Sequence, residues 1–128
     1  METQVVIAGH GSRSAEANAS LRTLAKSTGV RLGAPVHAAY LEMAEPSIPT
    51  TILGCVVSGA RKIVIVPYFL HPGMHVRRDI VEIADAARAA HPNVEITIAD
   101  FLGSHPGVAD ILAEITRDAL VVEGPTPI

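Results

Sequence analysis

The sequence is poor in most of the residues that mark a specialised architecture. One cysteine in 128 residues excludes a disulfide framework, and nothing points to an oxidising compartment. A basic excess is missing: ten Lys and Arg stand against thirteen Asp and Glu, a net charge of -3. A nucleic-acid binder normally carries a clear cationic surplus, so that class is set aside. Tryptophan is absent, and the aromatic residues are two Tyr and two Phe. The longest apolar stretch, Lys62 to Leu70, falls far short of the roughly 20 residues a membrane helix needs. Met1 to Gly9 is too short and too early broken for a secretory signal. There is no low-complexity tract, no linker and no internal repeat. These absences together describe a small cytoplasmic protein without a membrane or nucleic-acid partner.

Hydrophobic residues make up 48% and charged residues 18%, the balance of a globular chain able to bury a core. Four short apolar runs recur, at Gln4–Ala8, Pro35–Leu41, Ile63–Phe69 and Val94–Ala99. They do not alternate with polar residues, which suits strands buried on both faces of a parallel sheet. Between and after them lie stretches of helical period. Ala17, Leu21, Leu24 and Ala25 share one face, closed by Gly29 as a C′ residue. Ile48, Ile52, Leu53 and Val56 share a second, opened by Pro46-Ser47. Ile80, Ile83, Ala84 and Ala87 make a third, stopped at His91-Pro92. Val108, Ile111, Leu112 and Ile115 make a fourth, opened by Ser104-His105-Pro106. Strand–helix alternation predicts an α/β fold, a small doubly wound four-stranded parallel sheet flanked by helices. Residues 1–122 are expected to form this single domain. The tail at 123–128, with two prolines and a glycine, is expected to fray.

In an open parallel sheet, ligands bind beyond the carboxyl ends of the strands. The loops expected there read Gly9-His10-Gly11-Ser12-Arg13, Tyr40-Leu41-Glu42-Met43-Ala44-Glu45, Leu70 to Asp79, and Asp100 to His105. Four of the six histidines fall in them: His10, His71, His75 and His105. His10, between two glycines, sits where backbone and ligand approach closely. His71 and His75 have the spacing of two ligands on one helix face, but Pro72-Gly73 interrupts such a helix. His75, at the helix start, is the better candidate. His71 reads as a loop residue and His105 as a helix-start residue.

Arg13, Arg77 and Arg78 stand at or just before helix starts, where the macrodipole disfavours cations. Charges set against a local rule point to an anion site, the alternative being long side chains that reach solvent. Glu42 could be a general base or a further metal ligand. Cys55, amid Leu53, Val56 and Val57, reads as core. Tyr40, Tyr68, Phe69 and Phe101 all fall near strand ends, which suits a flat apolar ligand and suits packing almost as well. Imidazoles with a carboxylate favour borderline divalent metals, and too few ligands for a closed structural site suggests a metal in transit.

Three segments carry a resemblance: Val6–Arg13, Tyr40–Ile48 and Val66–Ile80, with Leu102–Pro106 also fitting. Together, in order and over nearly the whole chain, they resemble the class II sirohydrochlorin chelatases. The resemblance implies ATP-independent insertion of Co²⁺ or Fe²⁺, with Ni²⁺ in a related pathway, into the anionic tetrapyrrole sirohydrochlorin. The metal would be a substrate, with no tightly bound cofactor. His10 and His75 match the family's two metal-site histidines, and Glu42 its acidic residue. All three are the expected catalytic residues, the imidazoles accepting the pyrrole protons. Arg13, Arg77 and Arg78 lie where macrocycle carboxylates would be met, and Ser12 and Tyr68 join them as expected substrate contacts. The short, one-domain form implies a homodimer, and the histidine-rich loop of some relatives is absent. Two rivals stand beside this reading. One is a non-catalytic metal or tetrapyrrole carrier on the same fold. The other is a phosphoryl-transfer enzyme with His10 as nucleophile, although Gly9 replaces the arginine such a motif usually has before its histidine.

Overall fold

In the computed structural model, which describes residues 2–121, strand and helix alternate along the chain. The elements are β1 (Thr3–Gly9), α1 (Ala15–Leu32), β2 (Val36–Tyr40), α2 (Ile48–Val57), β3 (Lys62–Pro67), α3 (Met74–Ala90), β4 (Glu95–Ile98) and α4 (Gly107–Val121). A single 3₁₀ turn, Leu102–Ser104, precedes α4. The strands form one parallel sheet in the order β2-β1-β3-β4. The expected frayed tail, 123–128, lies outside the described residues.

β1 is the middle of this arrangement because it can be buried from both sides. Every residue from Gln4 to Gly9 is buried, and alternate side chains serve opposite faces. Val6 and Ala8 join Ile63, Ile65, Ile52 and Ile80 under α2 and α3. Val5 and Ile7 join Leu21, Ala25, Ala38 and Tyr40 under α1. The sheet is therefore doubly wound, as the uninterrupted apolar runs predict. Ile63 and Ile65 are fully buried, each side chain worth about 2–3 kcal/mol of transfer free energy.

Local chemistry sets the helix ends. The Ser14 hydroxyl accepts from the Ala17 N–H at 3.3 Å, and the Ser47 hydroxyl accepts from the Thr50 N–H at 3.2 Å, capping α1 and α2. α3 starts only after Pro72-Gly73, so His75 stands in its first turn and His71 outside it. One expected boundary is corrected. Gly29 does not end α1; the helix continues to Leu32, and Gly33 adopts the left-handed conformation (φ 67°) that closes it. Gly29 instead leaves room for the returning chain, since a Cβ there would stand 3.2 Å from the Ala34 carbonyl oxygen.

The fourth amphipathic face forms its helix without burying it. Ile111, Leu112 and Ile115 are 53%, 60% and 59% exposed, and no residue of α4 is buried. Its main contacts are with the 3₁₀ turn. That turn is pinned where a Cβ on Gly103 would overlap the Leu70 carbonyl, and the ring of His105 accepts from the Gly107 N–H at 2.9 Å to cap α4. Val64 and Val66, on the α1 side of β3, stay only partly buried. Among the described residues no helix is long and apolar enough to cross a membrane.

Candidate metal site and cleft

The loops after β1 and β2 are held together by their backbones. The Leu41 N–H donates to the Gly9 carbonyl and the Glu42 N–H to the His10 carbonyl, both at 3.0 Å. Gly11 makes this approach possible. Its φ of 96° is a left-handed value, and a Cβ there would overlap the Glu42 carbonyl oxygen. Ser12 braces the same loop: its N–H donates to the Asn18 Oδ1 at 3.0 Å, and the Asn18 Nδ2 donates to its carbonyl at 2.8 Å. The Ser12 hydroxyl accepts from the Ser14 N–H.

This bracing brings His10 and Glu42 together. His10 Nε2 lies 3.1 Å from Glu42 Oε1, and its Nδ1 lies 3.2 Å from the Gly11 carbonyl oxygen. Both neighbours are acceptors, so Nδ1 carries a hydrogen and the gap between Nε2 and Oε1 holds a proton or, in its place, a cation. Two ligands at about 2.1 Å and at right angles around one cation stand roughly 3.0 Å apart, so the pair already has the bite of a two-ligand site. The side chains are 47% and 61% exposed. As a bare ion pair in water it contributes only about 0–1 kcal/mol. Its significance is therefore in binding, not in stability.

His10 and Glu42 open onto a cavity of about 750 Å³ between α2 and α3, which His75 also lines. That is the scale of a site for a large organic ligand. Leu41, Ile52, Leu53, Ile83 and Ala87 supply much of its apolar lining. His75 does not join the pair directly. Its Nδ1 accepts from Arg78 Nη2 at 2.7 Å. Among the described residues no three His, Cys, Asp or Glu side chains converge on one metal position.

The other expected contacts spread out. Arg13 is exposed, next to the cap residue Ser14. Tyr68 is 41% exposed at the end of β3. Arg77 lines a second, separate cavity of about 380 Å³, its guanidinium 4.9 Å above the Phe101 ring and its Nε donating to the Pro72 carbonyl at 3.3 Å. None of the four aromatic side chains lines the His10 cavity. Tyr40 is buried in the core and its hydroxyl donates to the Asn18 carbonyl. His71 stacks edge-on against Phe101. Cys55 is buried and free, and burial raises its thiol above the ordinary 9.0.

Three polar residues of the cavity wall escape a reading of the sequence: Asp79, Glu82 and His91. Asp79 and Glu82 follow His75 at i+4 and i+7, the spacing of one helix face, a signal available in the sequence beside the apolar stripe.

Comparison with known proteins gives a consistent set of likenesses. The CbiX family profile matches residues 4–119. A chloroplastic sirohydrochlorin ferrochelatase from Arabidopsis thaliana is 34% identical over 122 residues, covering 94% of this chain and 54% of its own. A sirohydrochlorin cobaltochelatase from Methanothermobacter thermautotrophicus is 28% identical over 131 residues, covering 91% and 92%. Bacillus subtilis SirB, solved with Fe³⁺, superposes with a TM-score of 0.83 at 28% identity, covering 95% of this chain and 49% of that one. The chain thus spans about half the length of the Arabidopsis and Bacillus proteins and nearly all of the archaeal one.

Proposed function

The chain belongs to the CbiX family, and from that premise we propose that it inserts a divalent metal, Co²⁺ or Fe²⁺, into sirohydrochlorin without ATP. The observation that carries this reading is the 3.1 Å pairing of His10 Nε2 with Glu42 Oε1 at the mouth of a cavity that His75 also lines. Insertion exchanges two pyrrole N–H protons for one M²⁺. The His10–Glu42 pair offers the incoming ion two ligands and leaves most of its coordination sphere for the four macrocycle nitrogens. An incomplete ligand set is an advantage here, because the ion must leave the protein. As the metal passes to the ring, the vacated imidazole lone pair can take a pyrrole proton, and His75 supplies a second acceptor on the same cavity. Arg13 and Arg78, with Ser12 and Tyr68, stand as the candidate contacts for the macrocycle's carboxylates and edge. Arg77, committed to Phe101, is left out of that set.

The proposed working form is a homodimer in the cytoplasm. The uncovered apolar face of α4 supports the first part, and the buried free thiol of Cys55 suits a reducing compartment.

Anaerobic absorbance of sirohydrochlorin with Co²⁺, Fe²⁺ or Ni²⁺, with and without protein, tests the activity. An accelerated spectral change with Co²⁺ or Fe²⁺, lost in His10→Ala, is the expected result. Binding of metal and macrocycle with metallation left at the spontaneous rate would refute catalysis and establish a carrier instead.

A further inference from the structure

The second cavity, of about 380 Å³, lies where the carboxyl ends of β3 and β4 meet α3, and it takes no part in the metal chemistry proposed above. Its size is at the small end of organic-ligand sites. Pro67, Ile80, Ile98 and Phe101 supply apolar lining, and two charged residues, Arg77 and Asp100, share the cavity with them. These opposite charges do not pair. Among the described residues neither belongs to an ion pair, with each other or with any third group.

Arg77 is held in one orientation. Its guanidinium stacks on the Phe101 ring, 4.9 Å from the centroid, and its Nε donates to the Pro72 carbonyl at 3.3 Å. The edge of the fork that includes Nε is thereby taken. The two Nη groups on the end of the fork have no partner among the described residues. That end presents two parallel N–H bonds, the geometry that a carboxylate accepts bidentately. Position adds to the demand for an anion. Arg77 stands in the first turn of α3, where no acidic residue answers it and the helix dipole disfavours a cation. Asp100 makes the opposite demand. It is exposed, and among the described residues nothing donates to its carboxylate. A simple carboxylate on Arg77 would share the cavity with this second negative charge, whereas a ligand carrying both signs satisfies the two residues together.

We propose that this cavity binds a small zwitterion with an apolar body, the chemistry of a free α-amino acid with an aliphatic or aromatic side chain. The carboxylate sits on the Nη groups of Arg77, the ammonium faces Asp100, and the side chain packs against Ile80, Ile98 and Phe101. The site is separate from the His10–Glu42 pair and does not depend on the functional reading above.

Titration of the ¹⁵N-labelled protein with L-leucine, followed by NMR of the amides and the arginine Nε–H groups, tests the site. The expected result is saturable shifts at the Arg77 Nε–H and at the Ile98 to Phe101 amides, with His10 and Glu42 unmoved. Isocaproate, which lacks the ammonium, and isoamylamine, which lacks the carboxylate, should each bind about tenfold more weakly, the scale of one lost charge-assisted hydrogen bond. Asp100→Asn should erase the preference for leucine over isocaproate, and Arg77→Lys, which keeps the charge but not the fork, should weaken leucine binding about tenfold. Asp100 is exposed and unbonded, so its variant tests the site without disturbing the fold. Isocaproate binding as tightly as leucine would overturn the proposal and make the cavity a grip for a lone carboxylate, one on the macrocycle included. Shifts that never saturate, or none at this cavity with leucine or L-phenylalanine, would overturn it outright. Metallation enters no arm of the experiment, so the loss of this site and the loss of the chelatase reading are seen separately.

Discussion

Substituting Gly11 with alanine strikes the contact that creates the His10–Glu42 pair, and its cost can be worked from the backbone. A left-handed φ of 96° costs a residue with a Cβ about 1–2 kcal/mol. The added methyl group would also overlap the Glu42 carbonyl, so the loop after β2 must move outward. That motion strains the two 3.0 Å hydrogen bonds from the Leu41 and Glu42 N–H groups, each worth about 0.5–1.5 kcal/mol net. The sum is about 3 kcal/mol, a fall of about 2 M in the urea midpoint at a slope of roughly 1.5 kcal/mol/M. Gly33 supplies the control. Its φ is also left-handed, at 67°, but a Cβ there meets nothing within 4 Å, so Gly33→Ala should cost only the backbone term. Calorimetric Co²⁺ binding separates the variants again. Gly11→Ala should weaken affinity about tenfold, the scale of a lost supporting contact at a metal site, while Gly33→Ala should not change it. Equal midpoints for the two variants, or unchanged Co²⁺ affinity in Gly11→Ala, would refute the claim that this glycine builds the site.

Arg77→Met removes a cation held 4.9 Å over Phe101. It should cost about 1 kcal/mol in chemical denaturation while leaving Co²⁺ affinity unchanged, because the residue lines the other cavity; weakened metal binding would contradict that placement. The native Cys55 thiol should resist Ellman's reagent at pH 8 until urea unfolds the chain. Burial raises its folded pKa, so above pH 9 the unfolded thiol ionises first and stability should decline, a slope that Cys55→Ala should lack. Ile111→Glu places a charge on the uncovered face of α4. It should convert a sedimenting dimer to monomer with helix content unchanged by circular dichroism; a wild-type monomer would remove the dimer from the proposal.

What the sequence discloses and what it conceals follow from where each residue's partners lie. β1 is legible because a strand buried on both faces needs no alternation, and β3, covered on one face and partly covered on the other, likewise reads as an unbroken apolar run over Ile63–Phe69. His75 is legible because Pro72-Gly73 can only precede α3, so the next histidine must stand in its first turn. Gly29 and Gly33 cannot be ranked as helix stops from composition; the packing of Val36 and Ala34 against Gly29 decides. Among the strand-end aromatics, Tyr40 cannot be assigned to ligand or core from the sequence for a similar reason. A side chain such as Tyr40 can turn to the core as readily as to the crevice, and an Asn18 carbonyl waiting there settles it.

The adjacent arginines show the limit most sharply, and they also show why the cavity is built as it is. Neighbours on a helix point about 100° apart, so two cations that read as one anion site diverge: Arg77 onto Phe101, Arg78 onto His75. Asp79 and Glu82 continue the His75 side of α3 along the cavity wall, where they are set against Pro49 and Leu53 of α2, partners remote in sequence. A wall that carries the His75 imidazole, itself bonded to Arg78, and two carboxylates beside apolar side chains suits neither a closed metal site nor a simple anion pocket. It suits a place where a cation and a polyanion must meet and then leave together. For that task the loosely held His10–Glu42 pair is better than a third fixed ligand, since each added ligand would deepen the well from which the metal has to be extracted.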